Sequence, residues 1–96
     1  MSTVTIVAKL TAKSNAIETV KAELLKMLTP TCQEQGCLEY RLHQDNDNPA
    51  VFVFYENWEN QACFEQHMNS RHFISYVAAV ADLIADKVVH KMTEIG

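Results

Sequence analysis

A carboxylate, an indole and two imidazoles fall within the single stretch Phe52–His72, as Glu56, Trp58, His67 and His72. An imidazole with an ordinary pKa of ~6.5 can take or give a proton near neutral pH. A carboxylate at the end of an apolar strand needs a partner. Glu56 can therefore fix the tautomer of His67 or His72, or sit in a structural ion pair with Arg41 or Arg71. Trp58 can donate to a substrate oxygen, or serve as a packing anchor whose N–H finds a carbonyl. His67 is the candidate base, because it shares an apolar helical stripe with Phe64 and Met68. A core histidine bonded to backbone is the competing explanation. His72 opens the last helix, where the N-terminal dipole favours the neutral ring. It can accept a proton, line a pocket mouth or cap the surface. Tyr76 stands one turn further on, and Tyr40, Phe52 and Phe54 can reach the same space, although aromatic side chains at such spacing also make plain core. The expected site is thus His67, His72 and Glu56 as proton-handling groups, walled by Trp58, Phe52, Phe54, Tyr40, Phe64 and Tyr76.

Metal and cofactor motifs are not readable. His67 and His72 are five apart with a break between them, not the three or four that places two ligands on one helical face, so Glu56, His67 and His72 are not expected to hold an ion. With only Gly36 and Gly96 in the chain, no glycine-rich phosphate loop can form, which leaves no nucleotide or flavin motif.

The elements that must position these residues follow from hydrophobic period. Thr3 to Leu10 alternates as a half-buried strand. Asn15 and Glu18 have the spacing of a capping box ahead of a helix whose stripe is Ile17, Val20, Leu24, Met27 and Leu28. Pro30 kinks or restarts that helix, which continues over Thr31 to Gln35 and ends at Gly36. Cys37 to Gln44 alternates as a strand, with Leu38, Tyr40 and Leu42 on one face. The polar run from Asp45 to Pro49 is a turn, and Val51 to Tyr55 is a strand apolar on both faces. Asn57 or Asn60 caps a short helix through Met68, and Asn69-Ser70 breaks it. A longer helix is expected over Arg71 to Asp86, and a closing strand over Lys87 to Met92. The order βαββαβ is the ferredoxin-like α+β arrangement, a four-stranded antiparallel sheet with helices on one face. The other face is left bare, and a second copy of the chain is the natural cover.

Composition narrows the function classes. Ninety-six residues suit a single domain, expected over 1–96 with its core at about 4–92. Eight Lys and Arg, scattered singly against twelve acidic residues for a formal charge of −4, offer no cationic face for nucleic acid. Charged residues interrupt every apolar run, so neither a signal peptide nor a membrane span is expected. Three cysteines without a CxxC pair read as reduced thiols in a cytoplasmic protein.

Pro30-Thr31, Glu34, Gly36-Cys37 and Tyr40 are followed in order by Asp47-Asn48-Pro49, Glu56-Asn57-Trp58, Ala62, His67 and His72-Phe73. This ordered set, spanning about Val4 to Met92, resembles the antibiotic biosynthesis monooxygenase family, and within it the small quinol-monooxygenase-like members. The resemblance implies a dimeric α+β barrel, with a pocket between each sheet and its own helices. It implies oxidation of quinols or other phenolic substrates by dioxygen with no metal, flavin or haem. Phe54 stands where polyketide-modifying members carry an asparagine. His67 and Val77 stand where haem-degrading members carry a tryptophan and the haem-ligating histidine, so haem is not expected. Members acting on a phosphorylated autoinducer share the fold and a pocket histidine. An isomerase of a small oxygenated metabolite is therefore the second reading, and a non-catalytic dimer that binds small aromatics the third.

Overall fold

The computed structural model describes residues 3–96, so the first two positions of the expected domain span lie outside it. The elements run β1 (Val4–Ala12), α1 (Ile17–Leu25), α2 (Leu28–Cys32), β2 (Cys37–Gln44), β3 (Val51–Trp58), α3 (Gln61–Met68), α4 (Arg71–Val80) and β4 (Ile84–Met92). The strands form one antiparallel sheet in the order β2-β3-β1-β4, the ferredoxin-like arrangement expected from the pattern. Among the described residues no helix is long and apolar enough to cross a membrane.

Alternation sorts each strand into two faces. Ile6, Ala8, Leu10 and Ala12 of β1 and Phe52, Phe54, Glu56 and Trp58 of β3 are buried under the helices. Val7, Val53 and Tyr55 take the opposite, uncovered face, joined there by Val88 and Met92 of β4. Apolar β-branched and aromatic residues on both faces make β3 central. The short turn after β2 is built by Asp45, whose carboxylate accepts from the backbone N–H groups of Asp47 and Asn48.

Several local expectations give way to tertiary structure. The capping box does not form: the residue preceding α1 is Ala16, and no side chain caps it. A turn closed by the Ala16 N–H on the Lys13 carbonyl starts the helix one residue later, which moves Glu18 out of register. The break between α1 and α2 lies at Lys26-Met27, four residues before Pro30. Proline has no N–H to offer the carbonyl four positions back, so the discontinuity appears there. Residues 33–35 are not helical. In β2 a bulge between Cys37 and Glu39 slips the register by one. It puts Cys37 opposite Trp58 and leaves Leu38 exposed, contrary to the simple alternation.

The last helix ends at Val80 rather than Asp86. Leu83 and Ile84 sit at helical spacing, but the sheet competes for them. The Leu83 carbonyl accepts from Lys13 N–H, and Ile84 pairs with Ala12 across a second bulge. The closing strand therefore begins three residues early. Asn60 does cap α3, accepting from Cys63 N–H at 2.9 Å, whereas Asn57 faces the other side of the sheet, bonded to Thr5 and Glu39.

Candidate active site

Three elements bring one carboxylate and two imidazoles together. Glu34 follows α2 in a tight turn, its N–H on the Thr31 carbonyl and its own carbonyl accepting from Cys37 N–H. Gly36 makes this turn possible. Its φ is +82°, and an added Cβ would collide with Cys63 Sγ on α3, so both backbone conformation and close approach demand glycine. The turn aims Glu34 at the last residues of α3 and the first of α4. Glu34 Oε2 accepts from His67 Nδ1 at 2.7 Å and from His72 Nε2 at 2.7 Å. Exposure grades outward along this network: the side chain of His67 is 1 % exposed, Glu34 15 % and His72 25 %. Ser70 locks the junction of the two helices, donating to the His67 carbonyl at 2.6 Å while accepting from Phe73 N–H.

With Glu34 ionised, His67 carries its proton on Nδ1, and Nε2 keeps its lone pair. The ring packs 4.8 Å from Trp58 and 5.0 Å from Phe73, centroid to centroid. Burial pushes its pKa below the ordinary histidine value, outweighing the support of Glu34. A neutral imidazole held in one tautomer is the state a general base requires.

His67 lines a cavity of about 80 Å³ between the sheet and α3–α4, whose walls include Ile6, Ala8, Phe54, Phe64 and Phe73. The polar groups on this wall are His67, Glu56, Tyr40, Tyr76 and, at the rim, Lys87. Burial lifts the Glu56 carboxyl to about 7, an effect partly offset by the hydrogen bond from Trp58 and reinforced by the charge of Glu34. Burial and then the charge of Glu56 push the Tyr76 hydroxyl up to about 12, and hold Tyr40 well above the ordinary phenol value. Thr31 on α2 is fully buried, and its hydroxyl, close to that of Tyr40, offsets part of the rise at Tyr40.

The proposed site residues therefore divide. Tyr40, Phe54, Glu56, Phe64, His67 and Tyr76 meet at the cavity. Phe52 and Trp58 are buried outside its lining. Trp58 donates its indole N–H to Glu56 Oε1 at 2.9 Å, so it orients a carboxylate rather than meeting a backbone carbonyl. Glu56 pairs with neither arginine, and Arg41 lies against Glu39. His72 lies outside the cavity lining and joins the site through Glu34, its ring centroid 6.0 Å from that of His67. The carboxylate that holds the histidines is Glu34, which the separation of 33 and 38 residues hid. Its signals were its place in the ordered motif set and its position two residues before the only internal glycine.

Glu34, His67 and His72 also form a two-histidine, one-carboxylate donor set whose ligand atoms lie within 4.8 Å of one another. Each nitrogen stands 2.7 Å from the same oxygen, a hydrogen-bond length. Ligands of a tetrahedral ion at ~2.0–2.1 Å stand about 3.3 Å apart. The spacing fits shared protons better than an ion.

Known proteins with this architecture are numerous. The chain is 30 % identical over 87 residues to the "Putative monooxygenase Rv0793" of Mycobacterium tuberculosis, covering 91 % of this chain and 85 % of that protein. The crystal structure of PA3566 from Pseudomonas aeruginosa superposes with a TM-score of 0.96 at 28 % identity, over 100 % of this chain and 97 % of the other. A crystal structure described as an antibiotic biosynthesis monooxygenase gives a TM-score of 0.91 at 29 % identity, over 97 % and 99 % of the two chains. The family model for antibiotic biosynthesis monooxygenase matches residues 3–79, from β1 into the last turn of α4, and the chain belongs to that family.

Proposed function

We propose that this protein oxidises a quinol or related polyphenol with dioxygen, and that His67 is the base. The observation that carries this reading is the Glu34–His67 pair, which leaves one imidazole nitrogen unengaged on a largely apolar cavity. Ground-state dioxygen is a triplet, so a closed-shell substrate must first surrender one electron, and a hydroquinone does so as its anion. His67 takes the phenolic proton at Nε2, while Glu34 stabilises the imidazolium through Nδ1–H. The apolar wall keeps water from the anion. The electrons come from the substrate. A hydroquinone and dioxygen give quinone and hydrogen peroxide in an oxidase turnover, or hydroxyquinone and water in a monooxygenase turnover. No resident cofactor enters either balance.

Glu56, with a pKa near neutrality, is the second proton-handling group, supported by Trp58. Tyr40, Phe54, Phe64 and Tyr76 form the substrate wall, and His72 acts on the site through its share of Glu34. Anaerobically reduced naphthoquinol mixed with dioxygen should be consumed faster with the protein than in buffer alone. Rates equal to buffer across a panel of quinols would sink this reading. Two proton-handling groups on one cavity also suit enolisation, and hence an isomerase of a small oxygenated metabolite. Product formed without dioxygen would favour that alternative.

The uncovered sheet face, with Tyr55, Val88 and Met92 more than a third exposed, supports a homodimer closed through that face. Light scattering should give twice the chain mass, and Tyr55→Lys should lower it. A wild-type monomer at micromolar concentration would contradict the assignment. Three free thiols suit a reducing, cytoplasmic setting.

A further inference from the structure

The cavity is too small for the ligand that its polar groups invite. A buried space of about 150 Å³ takes one benzene ring, and this one is about 80 Å³. It seats the edge of a ring, so the remainder of the ligand must leave through an opening. A groove of about 390 Å³ runs beside it, under the end of α4 and along β4. Leu10, Tyr76 and Lys87 line both the cavity and the groove, so the two spaces adjoin at Tyr76 on α4 and Lys87 on β4. Val77, Val80, Ala81 and Ile84 give the groove wall an apolar strip.

Register settles which charge faces this opening. Lys87 pairs with Leu10 and Val89 with Ala8, so both stand on the helix-covered face of the sheet. Asp86 also borders the groove, but it pairs with Thr11, and alternation turns its side chain toward the other face. Lys87 has no ion-pair partner among the described residues. It is the cation at the mouth of a cavity whose inner wall holds the acid Glu56.

We propose that the groove at Lys87 is a subsite for the anionic end of an aromatic substrate, a carboxylate carried on the ring system whose phenolic end enters toward His67. The carboxylate meets the Lys87 ammonium on the groove side while the ring passes Leu10 and Tyr76 into the cavity. The inference rests on the aromatic-phenol reading of the cavity and adds to it the charge class of the substrate. It also fixes the orientation: hydroxyl inward, carboxylate outward.

The test uses binding alone, with probes that the proposed oxidation does not consume. Titration calorimetry compares 6-hydroxy-2-naphthoate with 2-naphthol on the wild-type protein, Lys87→Met and Lys87→Arg. The wild type and Lys87→Arg should bind the carboxylated probe about tenfold tighter than the neutral one, and Lys87→Met should bind the two equally. Lys87 is on the exposed rim, so the variants should fold, which their thermal unfolding checks. Equal binding of both probes by the wild type, a preference that survives in Lys87→Met, or no binding of either probe would overturn the proposal. A preference for the carboxylated probe, together with no quinol of the panel oxidised faster than in buffer, would retain the subsite and overturn the oxidation reading instead.

Discussion

Glu34 bonds the histidine that lines the cavity, Glu56 lines the cavity itself, and the two have little else in common. Glu34 sits in a glycine-dependent turn, partly exposed, with two imidazoles on one oxygen. Glu56 sits in the central strand under the helices, with a single indole N–H on it. The first is arranged to hold both rings by their N–H groups and to dictate a tautomer. The second is held near its own midpoint, able to change charge at neutral pH. The same side chain thus becomes a fixed support or a proton store according to the number of donors and the access of water.

Removing the base that this comparison centres on should have the largest effect. His67→Gln should cut the rate of quinol oxidation roughly 100- to 10,000-fold, measured by oxygen electrode at saturating substrate. Full activity in that variant would reassign the base while leaving the enzyme class intact.

Glu56 should reveal itself in stability. Its folded pKa is raised from the ordinary value near 4.5 to about 7. Between those values the folded state binds more protons than the unfolded state. Stability should therefore fall as pH rises through that window, and the full cost is present above about pH 7. Glu56→Gln keeps an acceptor for the Trp58 N–H and cannot ionise. It should match the wild type in urea denaturation at pH 4.5 and exceed it by up to roughly 3 kcal/mol at pH 8. A difference that does not change with pH would remove Glu56 from the proton-storing role.

Glu34→Gln keeps the shape of the network but no longer enforces the Nδ1–H tautomer. Losing a charge-assisted hydrogen bond of about 1.5–3 kcal/mol should lower turnover roughly 10- to 100-fold, with little change in KM. An effect only on KM would mean that Glu34 shapes the cavity rather than the base. His72→Ala should be mildest, under about tenfold, because its ring is partly in water and its bond to Glu34 is screened. A loss as deep as that of His67→Gln would make His72 the base.

The strand and helix order was legible because periodicity survives in almost every segment, and Gly36 and Asn60 announced their turn and cap. What stayed hidden lacked a local mark. Nothing at Val80 breaks a helix. Its end is decided by Ile84 pairing with Ala12 on a distant strand. The β2 bulge slips Cys37 and Leu38, and Gly36 just before it marks the turn rather than the slip. At the site, His67, Glu56 and their aromatic neighbours were legible from residue type, because one strand and the helix after it supply most of them. The roles of Glu34 and Lys87 were not, since only the fold carries the turn after α2 to His67 and the start of β4 to that cavity.

The central claim is that Glu34 holds His67 as a neutral imidazole with its Nε2 lone pair turned to the cavity. Nitrogen-15 NMR of histidine-labelled protein at pH 7 reads this directly. His67 should show a protonated Nδ1, an unprotonated Nε2, and loss of that fixed tautomer in Glu34→Gln. A proton on Nε2 at pH 7, as the lone N–H or in an imidazolium, would contradict the account.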